Sequence, residues 1–178
     1  MRKRCAELRA GWLERFGHEL HARAGVNSGG AVVGNMGSKH KYNYTVMGDM
    51  VNLAARLEGA NKPYGTYLMI SETTLVDLNG ACDVRELDLV AVKGKDKAVR
   101  VFEVLELKDK APPEMIATAR RFEAGLALYR ACKFSEAKTI FAELSDDPPS
   151  KLYVERCTYF ESEPPGDGWD GVWHMKEK

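Results

Sequence analysis

Tyr44-Thr-Val-Met-Gly-Asp-Met-Val-Asn-Leu-Ala-Ala-Arg-Leu-Glu58 passes from extended chain into a helix within fifteen residues. Tyr44 to Met47 reads as extended chain, rich in β-branched and aromatic residues. Gly48 breaks it. Asp49 then reads as the N-cap of a helix from about Met50 to Ala60, its carboxylate placed to accept from a free first-turn amide. Asn61, Pro63 and Gly65 end that helix. Within it Asn52 and Arg56 lie four residues apart, so both side chains share one face and can reach one ligand.

Upstream, the glycine-punctuated and β-branched run from Ala22 to Gly37 reads as two short strands turning around Ser28-Gly29-Gly30. Ser38 to Asn43 follows as an exposed loop carrying Lys39, His40 and Lys41. Before these, Leu8, Trp12 and Phe16 recur every four residues in a helix from about Lys3 to Phe16, closed by Gly17. That helix begins almost at Met1 with no N-cap before it. The chain is therefore expected to enter in the middle of something larger.

Downstream, Tyr67-Leu68-Met69-Ile70 reads as a short strand, and Ser71 as the cap of a short helix opening at Glu72. Two longer strands, Val84 to Val92 and Val99 to Leu107, flank the basic turn Lys93-Gly94-Lys95-Asp96-Lys97. Ala111-Pro112-Pro113 reads as a connector. Beyond it come three helical stretches, Ala119 to Cys132, Ser135 to Leu144 and Lys151 to Phe160. The expected organisation is a first unit at 1–108, a connector at 109–118 and a helical tail at 119–178. In that tail Phe122, Tyr129, Phe134 and Phe141 are expected to be helix-packing core.

The 178 residues are enough for one good domain, or one domain and an appendage. Lysine plus arginine number 26, as do aspartate plus glutamate, so the chain has no electrostatic footprint for nucleic acid or an anionic membrane. A phosphate-bearing small molecule needs only a few local cations and stays open. Cys5, Cys82, Cys132 and Cys157 are scattered without metal-ligand spacing, which fits reduced thiols and a cytoplasmic location. No run approaches the ~20 apolar residues of a membrane span. The glycines between Gly25 and Gly37 match neither a dinucleotide fingerprint nor a P-loop, and the four histidines are isolated.

Taken together, Gly25-Val-Asn-Ser-Gly29, Val33-Gly-Asn-Met-Gly37 and the run from Tyr44 to Glu58 resemble the catalytic domain of class III adenylyl and guanylyl cyclases. Val92-Lys-Gly-Lys-Asp-Lys97 and Val101-Phe-Glu-Val104 resemble the end of that domain. The resemblance runs from roughly Ala22 to Leu107. It implies an α+β fold, a ferredoxin-like core lacking its first strands, followed by a small all-α segment.

It also implies a chemistry. Such domains build active sites across a head-to-tail dimer, one subunit offering two aspartates for two magnesium or manganese ions and the other an asparagine and an arginine. The nucleotide's 3′-hydroxyl attacks its own α-phosphate and pyrophosphate leaves, a reaction governed by positioning and charge stabilisation. The match carries Asn52 to the ribose-orienting asparagine and Arg56 to the arginine that steadies the charge on the five-coordinate phosphorus. A planar guanidinium suits that task. Thr45 matches the base-selecting position, in a form that accompanies adenine, so ATP is favoured over GTP. Lys93 or Lys95 matches the triphosphate-contacting lysine, with Lys95 preferred.

The family's metal-binding strand and second metal aspartate have no counterpart in this sequence, and Asp49 is neither of them. No metal ligand is assigned within the chain; the ions are expected on a partner subunit or a missing N-terminal half. The expected function is adenylate cyclase chemistry in a homo- or heterodimer with another cyclase domain, this chain being inactive alone. The alternative is a non-catalytic dimerisation or regulatory module, or a truncated remnant. Phe122-x-x-Gly-Leu-x-x-Tyr129 with Phe134-Ser-Glu-Ala137 and Phe141 resembles one tetratricopeptide-type hairpin, which implies a possible protein partner at the tail. Lacking strands, the isolated chain is expected to associate or to be marginally folded.

Overall fold

The computed structural model describes residues 2–19, 21–38, 41–91, 98–166 and 168–172. Helix α1 covers Arg2–Phe16 and ends where Gly17, at φ 70°, donates its amide to the Leu13 carbonyl. Its apolar stripe is uncovered: Leu8, Trp12, Leu13 and Phe16 are all exposed. Strand β1 (Ala24–Val26) follows, then β2 (Val32–Ser38), β3 (Lys41–Met47) and helix α2 (Asp49–Tyr64). Next come β4 (Leu68–Ser71), α3 (Glu72–Asp77), β5 (Cys82–Val90) and β6 (Val99–Leu107). Helices α4 (Pro113–Arg130), α5 (Phe134–Glu143) and α6 (Pro148–Ser162) complete an α+β architecture.

The strands form a mixed four-stranded sheet in the order β1-β4-β6-β5 and a separate β2-β3 ribbon. This corrects the expected hairpin around Ser28-Gly29-Gly30. Strand β1 does not turn back on β2; it runs parallel to β4, with Gly25 opposite Met69. The hairpin is instead β2 with β3, Val32 opposite Met47 and Ser38 opposite Lys41. Most of the expected loop at Ser38 to Asn43 is therefore strand. The physical reason lies in the partners. Gly25 lets β1 lie directly against α2, whereas the two seven-residue strands bond along their whole length to each other.

Asp49 is not the N-cap of α2. Gly48 precedes the helix with no side-chain cap, and its carbonyl accepts from Val51 (3.0 Å) and Asn52 (3.1 Å). Asp49 occupies the first turn, where its charge still complements the helix dipole. Gly65 closes the helix in the left-handed conformation at φ 65°. Ser71 does cap α3, its hydroxyl accepting from the Thr74 amide.

One core joins the sheet and the tail. Leu53, Leu57, Ala60 and Tyr64 of α2 meet Met69, Leu87 and Val101 of the sheet and Phe122, Leu126, Tyr129, Phe141 and Tyr153 of the tail. The first residues of α4 replace much of the expected connector, Pro112 acting as a cap whose carbonyl accepts from Met115 and Ile116. The tail helices run antiparallel in sequence. Phe122 lies 5.3 Å from Phe141 while Tyr129 lies 5.6 Å from Phe134; on α6, Phe160 sits 5.0 Å from Phe134 and Tyr153 sits 5.0 Å from Phe141. The aromatic quartet expected as core is buried throughout. Trp169 closes the cluster against Tyr129, Phe134 and Phe160.

Candidate functional site

Helix α2 has two faces with different duties. Leu53, Leu57, Ala60, Asn61 and Tyr64 point inward and are buried. Asn52 and Arg56 lie on the outer face, both exposed. Burial thus fixes the helix about its axis, and the helical period brings the two polar side chains to solvent on one side. Thr45 sits on β3 just before the helix, opposite Gly34 and half-buried. Lys93 and Lys95 fall in 92–97, outside the described residues.

Several residues without an assigned role in the sequence hold α2 in place. Asn27, in the loop after β1, donates its amide to the Met50 carbonyl at 2.9 Å, in the first turn of α2. Its side-chain oxygen accepts from Ser71 (2.6 Å) and Thr73 (3.1 Å), so the helix start is tied to the end of β4 and to α3. Asn61, fully buried, donates to the Ala24 carbonyl (3.0 Å) and accepts from the Thr66 hydroxyl (2.9 Å). At the helix end, the Tyr64 hydroxyl donates to Asp88 of β5. A buried asparagine or tyrosine looks like any polar helix residue until its partners are known, so spacing alone could not mark these. The Gly-Val-Asn-Ser motif was the one available signal for Asn27.

The outer face of α2 is open surface. A cavity of about 590 Å³ lies at the sheet–tail junction, lined by Arg85, Glu103 and Asp147 among others. A second, of about 730 Å³, lies between α1 and the sheet, lined by Cys5, Arg9 and Leu105 among others. Neither is lined by Asn52 or Arg56. Among the described residues no group of three or more histidine, cysteine, aspartate or glutamate side chains could hold a metal ion. The described residues therefore do not fit the two-ion site that the cyclase resemblance implies. No helix among the described residues is long and apolar enough to cross a membrane.

The ribbon beside α2 is the other notable surface. Val32, Val33, Tyr42, Tyr44, Val46 and Met47 are all exposed on it.

Residues 7–104 match the family model of the adenylate and guanylate cyclase catalytic domain. The chain belongs to that family. It is similar to an adenylate cyclase, terminal-differentiation specific, of Dictyostelium discoideum, 32% identical over 142 residues covering 75% of this chain and 7% of that protein. Covering so much of the chain, that match runs beyond residue 104 into the tail. It is similar also to adenylate cyclase 1 of Rhizobium meliloti, 40% identical over 87 residues, 49% of this chain and 13% of that protein. Among solved structures, the adenylyl cyclase CyaB from P. aeruginosa superposes with a TM-score of 0.52 at 29% identity, covering 62% of this chain and 56% of that one. The chain thus spans a small part of these curated relatives' length and just over half of that structure.

Proposed function

We propose that this chain supplies the asparagine–arginine half of an adenylate cyclase site, converting ATP to cyclic AMP and pyrophosphate once a second cyclase domain closes on the outer face of α2. The observation that carries the reading is the exposed Asn52/Arg56 pair on a helix whose other face is locked in the core. Cyclase-family membership and the adenylate cyclase relatives support the reaction class.

In this reading the ribose 3′-hydroxyl gives its proton to solvent as its oxygen bonds to the α-phosphorus, and the bond from that phosphorus to the α–β bridging oxygen breaks, pyrophosphate leaving with the electron pair. Asn52 orients the ribose by hydrogen bonding. Arg56 donates from its guanidinium to non-bridging oxygens as charge concentrates on them. Thr45 reads the adenine edge, and Lys95, or Lys93, meets the triphosphate. Magnesium or manganese, which cyclases of this family use, would take its ligands from the partner domain. By itself the chain is inactive.

The exposed apolar ribbon supports association with another cyclase domain, either a second copy or a different chain. It equally favours a second reading, in which the chain is a dimerisation or regulatory module without turnover. The helical tail, in the tetratricopeptide-like reading, offers a surface for a protein partner.

The test mixes the chain with a cyclase domain that keeps its metal aspartates but has lost its own asparagine and arginine. Cyclic AMP formation from manganese-ATP in the mixture alone, abolished by Arg56→Ala, is the expected result. A folded chain that leaves the mixture silent sinks the catalytic reading in favour of the regulatory one.

A further inference from the structure

Three side chains from three distant parts of the chain meet where α2 ends. Asp88 of β5 is 2% exposed and Arg156 of α6 is 4% exposed. Arg156 Nη1 donates to Asp88 Oδ2 at 2.6 Å, and its Nη2 donates to the Tyr64 hydroxyl oxygen at 3.1 Å. The Tyr64 hydroxyl in turn donates to the same carboxylate oxygen. The guanidinium also lies over two aromatic rings, 5.4 Å from the centre of Tyr64 and 4.9 Å from that of Tyr153.

A register shift in β5 between Glu86 and Asp88 lets consecutive residues serve this junction. The Leu87 carbonyl accepts from the Tyr153 hydroxyl at 2.8 Å, while Asp88 Oδ1 accepts from the Leu89 amide at 2.7 Å. One residue beyond Tyr64, the backbone of Gly65 packs on Pro148 so tightly that a Cβ there would lie 2.4 Å from the proline Cβ. The C-terminal end of α2 is thus bonded to α6 and pressed against its first turn.

We infer that the helical tail sets the position of α2, with Arg156 as a positioning residue that acts on Asn52 and Arg56 through Asp88 and Tyr64. The chemical meaning of that position rests on the reading under Proposed function; the mechanical claim does not. An α-helix transmits an end displacement along its axis, and Asn52 lies 12 residues, or about 18 Å, from Tyr64. Apolar packing would bury the same surface without fixing a direction. A buried ion pair adds little net stability over apolar side chains of equal volume, so what the triad contributes is orientation. Burial first, and the Asp88 charge second, hold the Tyr64 hydroxyl well above the ordinary tyrosine range, so it stays a donor.

The relationship separates cleanly into two variants and a control. Tyr64→Phe keeps the ring and the Arg156–Asp88 pair but removes the hydroxyl that both use. Arg156→Lys keeps the charge beside Asp88 but loses the fork that spans to Tyr64. Arg121→Ala breaks the exposed Arg121–Glu143 pair between α4 and α5, which uses none of the three junction residues, and serves as a matched surface change.

In the 178-residue chain labelled with ¹⁵N, the backbone amide positions of residues 50–57 are expected to move in both variants and to stay put in the control. In the reconstituted mixture kcat is expected to fall at least tenfold in both variants while KM for ATP changes less than twofold. Amide positions unchanged in Tyr64→Phe, which preserves the core volume, would overturn the inference. So would a rate loss that Arg121→Ala reproduces. A wild-type mixture without activity would refute the proposed function alone, and the amide comparison would still decide the positioning claim.

Discussion

A Cβ placed on Gly25 would sit 2.3 Å from the carbonyl oxygen of Ala54. It would lie equally close to the backbone nitrogen of Glu58, so β1 and α2 touch backbone to backbone. Neither neighbour is a flexible side chain that could swing aside. This contact is why β1 lies beneath α2 instead of folding back onto β2, and it brings the Asn52/Arg56 helix flat against the sheet.

Gly25→Ala is accordingly expected to destabilise the chain by about 2–3 kcal/mol, the upper part of the usual overpacking cost. For a chain of this size that is a fall in melting temperature of very roughly 4–12 °C. Thermal unfolding followed by circular dichroism checks it. An unchanged melting temperature would mean that helix and strand separate more easily than the geometry allows.

Asn52→Ala and Arg56→Ala should behave oppositely. Both side chains are exposed on the outer face of α2, so each change should alter stability by less than about 0.5 kcal/mol. Activity in the reconstituted cyclase mixture should nonetheless be lost. Stability and turnover measured on the same preparations separate a surface residue with chemistry from a structural one.

Arg85 joins three parts of the chain. It pairs with Glu103 of β6 and with Asp147, each at 2.8 Å, and lies 5.1 Å from the Phe122 ring centre. Asp147 simultaneously caps α6 by accepting from the Ser150 amide at 3.1 Å. Arg85→Met leaves two largely buried carboxylates without their cation, and a loss of about 3–5 kcal/mol is expected in urea denaturation. A loss under 1 kcal/mol would show that water reaches these carboxylates freely.

Phe122→Ala tests the shared core. The ring is fully buried between α5 and α6 and packs with residues that also contact the sheet, so a cost of about 3–5 kcal/mol is expected. Sheet and tail should still unfold together. Two resolved transitions, one for the tail aromatics and one for the sheet, would show that the common core does not bind them into one cooperative unit.

Alkaline pH should weaken that same core. Burial, with Glu161 adding to it, pushes the Cys157 thiol up to about 12, and burial raises the Tyr64 and Tyr153 hydroxyls further above their ordinary value. Raised folded-state values mean that the folded chain holds these protons more tightly than the unfolded one. The stabilisation is present below the unfolded thiol value of about 8.5 and is lost as pH rises through about 9 to 12. Melting temperature should be level from about pH 7 to 8.5 and fall beyond that. A level profile up to about pH 11 would contradict the burial.

Much of this was legible from the chain alone, because it depends on local chemistry. The period of α2, the Ser71 cap, the Gly17 and Gly65 stops and the aromatic quartet of the tail are all set by residues within a few positions of one another. Side-chain spacing placed Asn52 and Arg56 on one face, and the Gly-Asp-Met-Val-Asn run carried the family. The pairing of β1 was not legible. A three-residue strand bonds wherever a partner is presented, and its partner, β4, lies more than 40 residues away in the chain. The same limit hid the Tyr64–Asp88–Arg156 triangle, whose members become neighbours only after sheet and tail have closed on each other. Which face of α2 is polar and which is apolar follows from periodicity, and so from the order of residues alone. What holds that helix at both ends emerges with the folded chain, since burial and long-range hydrogen bonds exist only between segments that the fold has brought together.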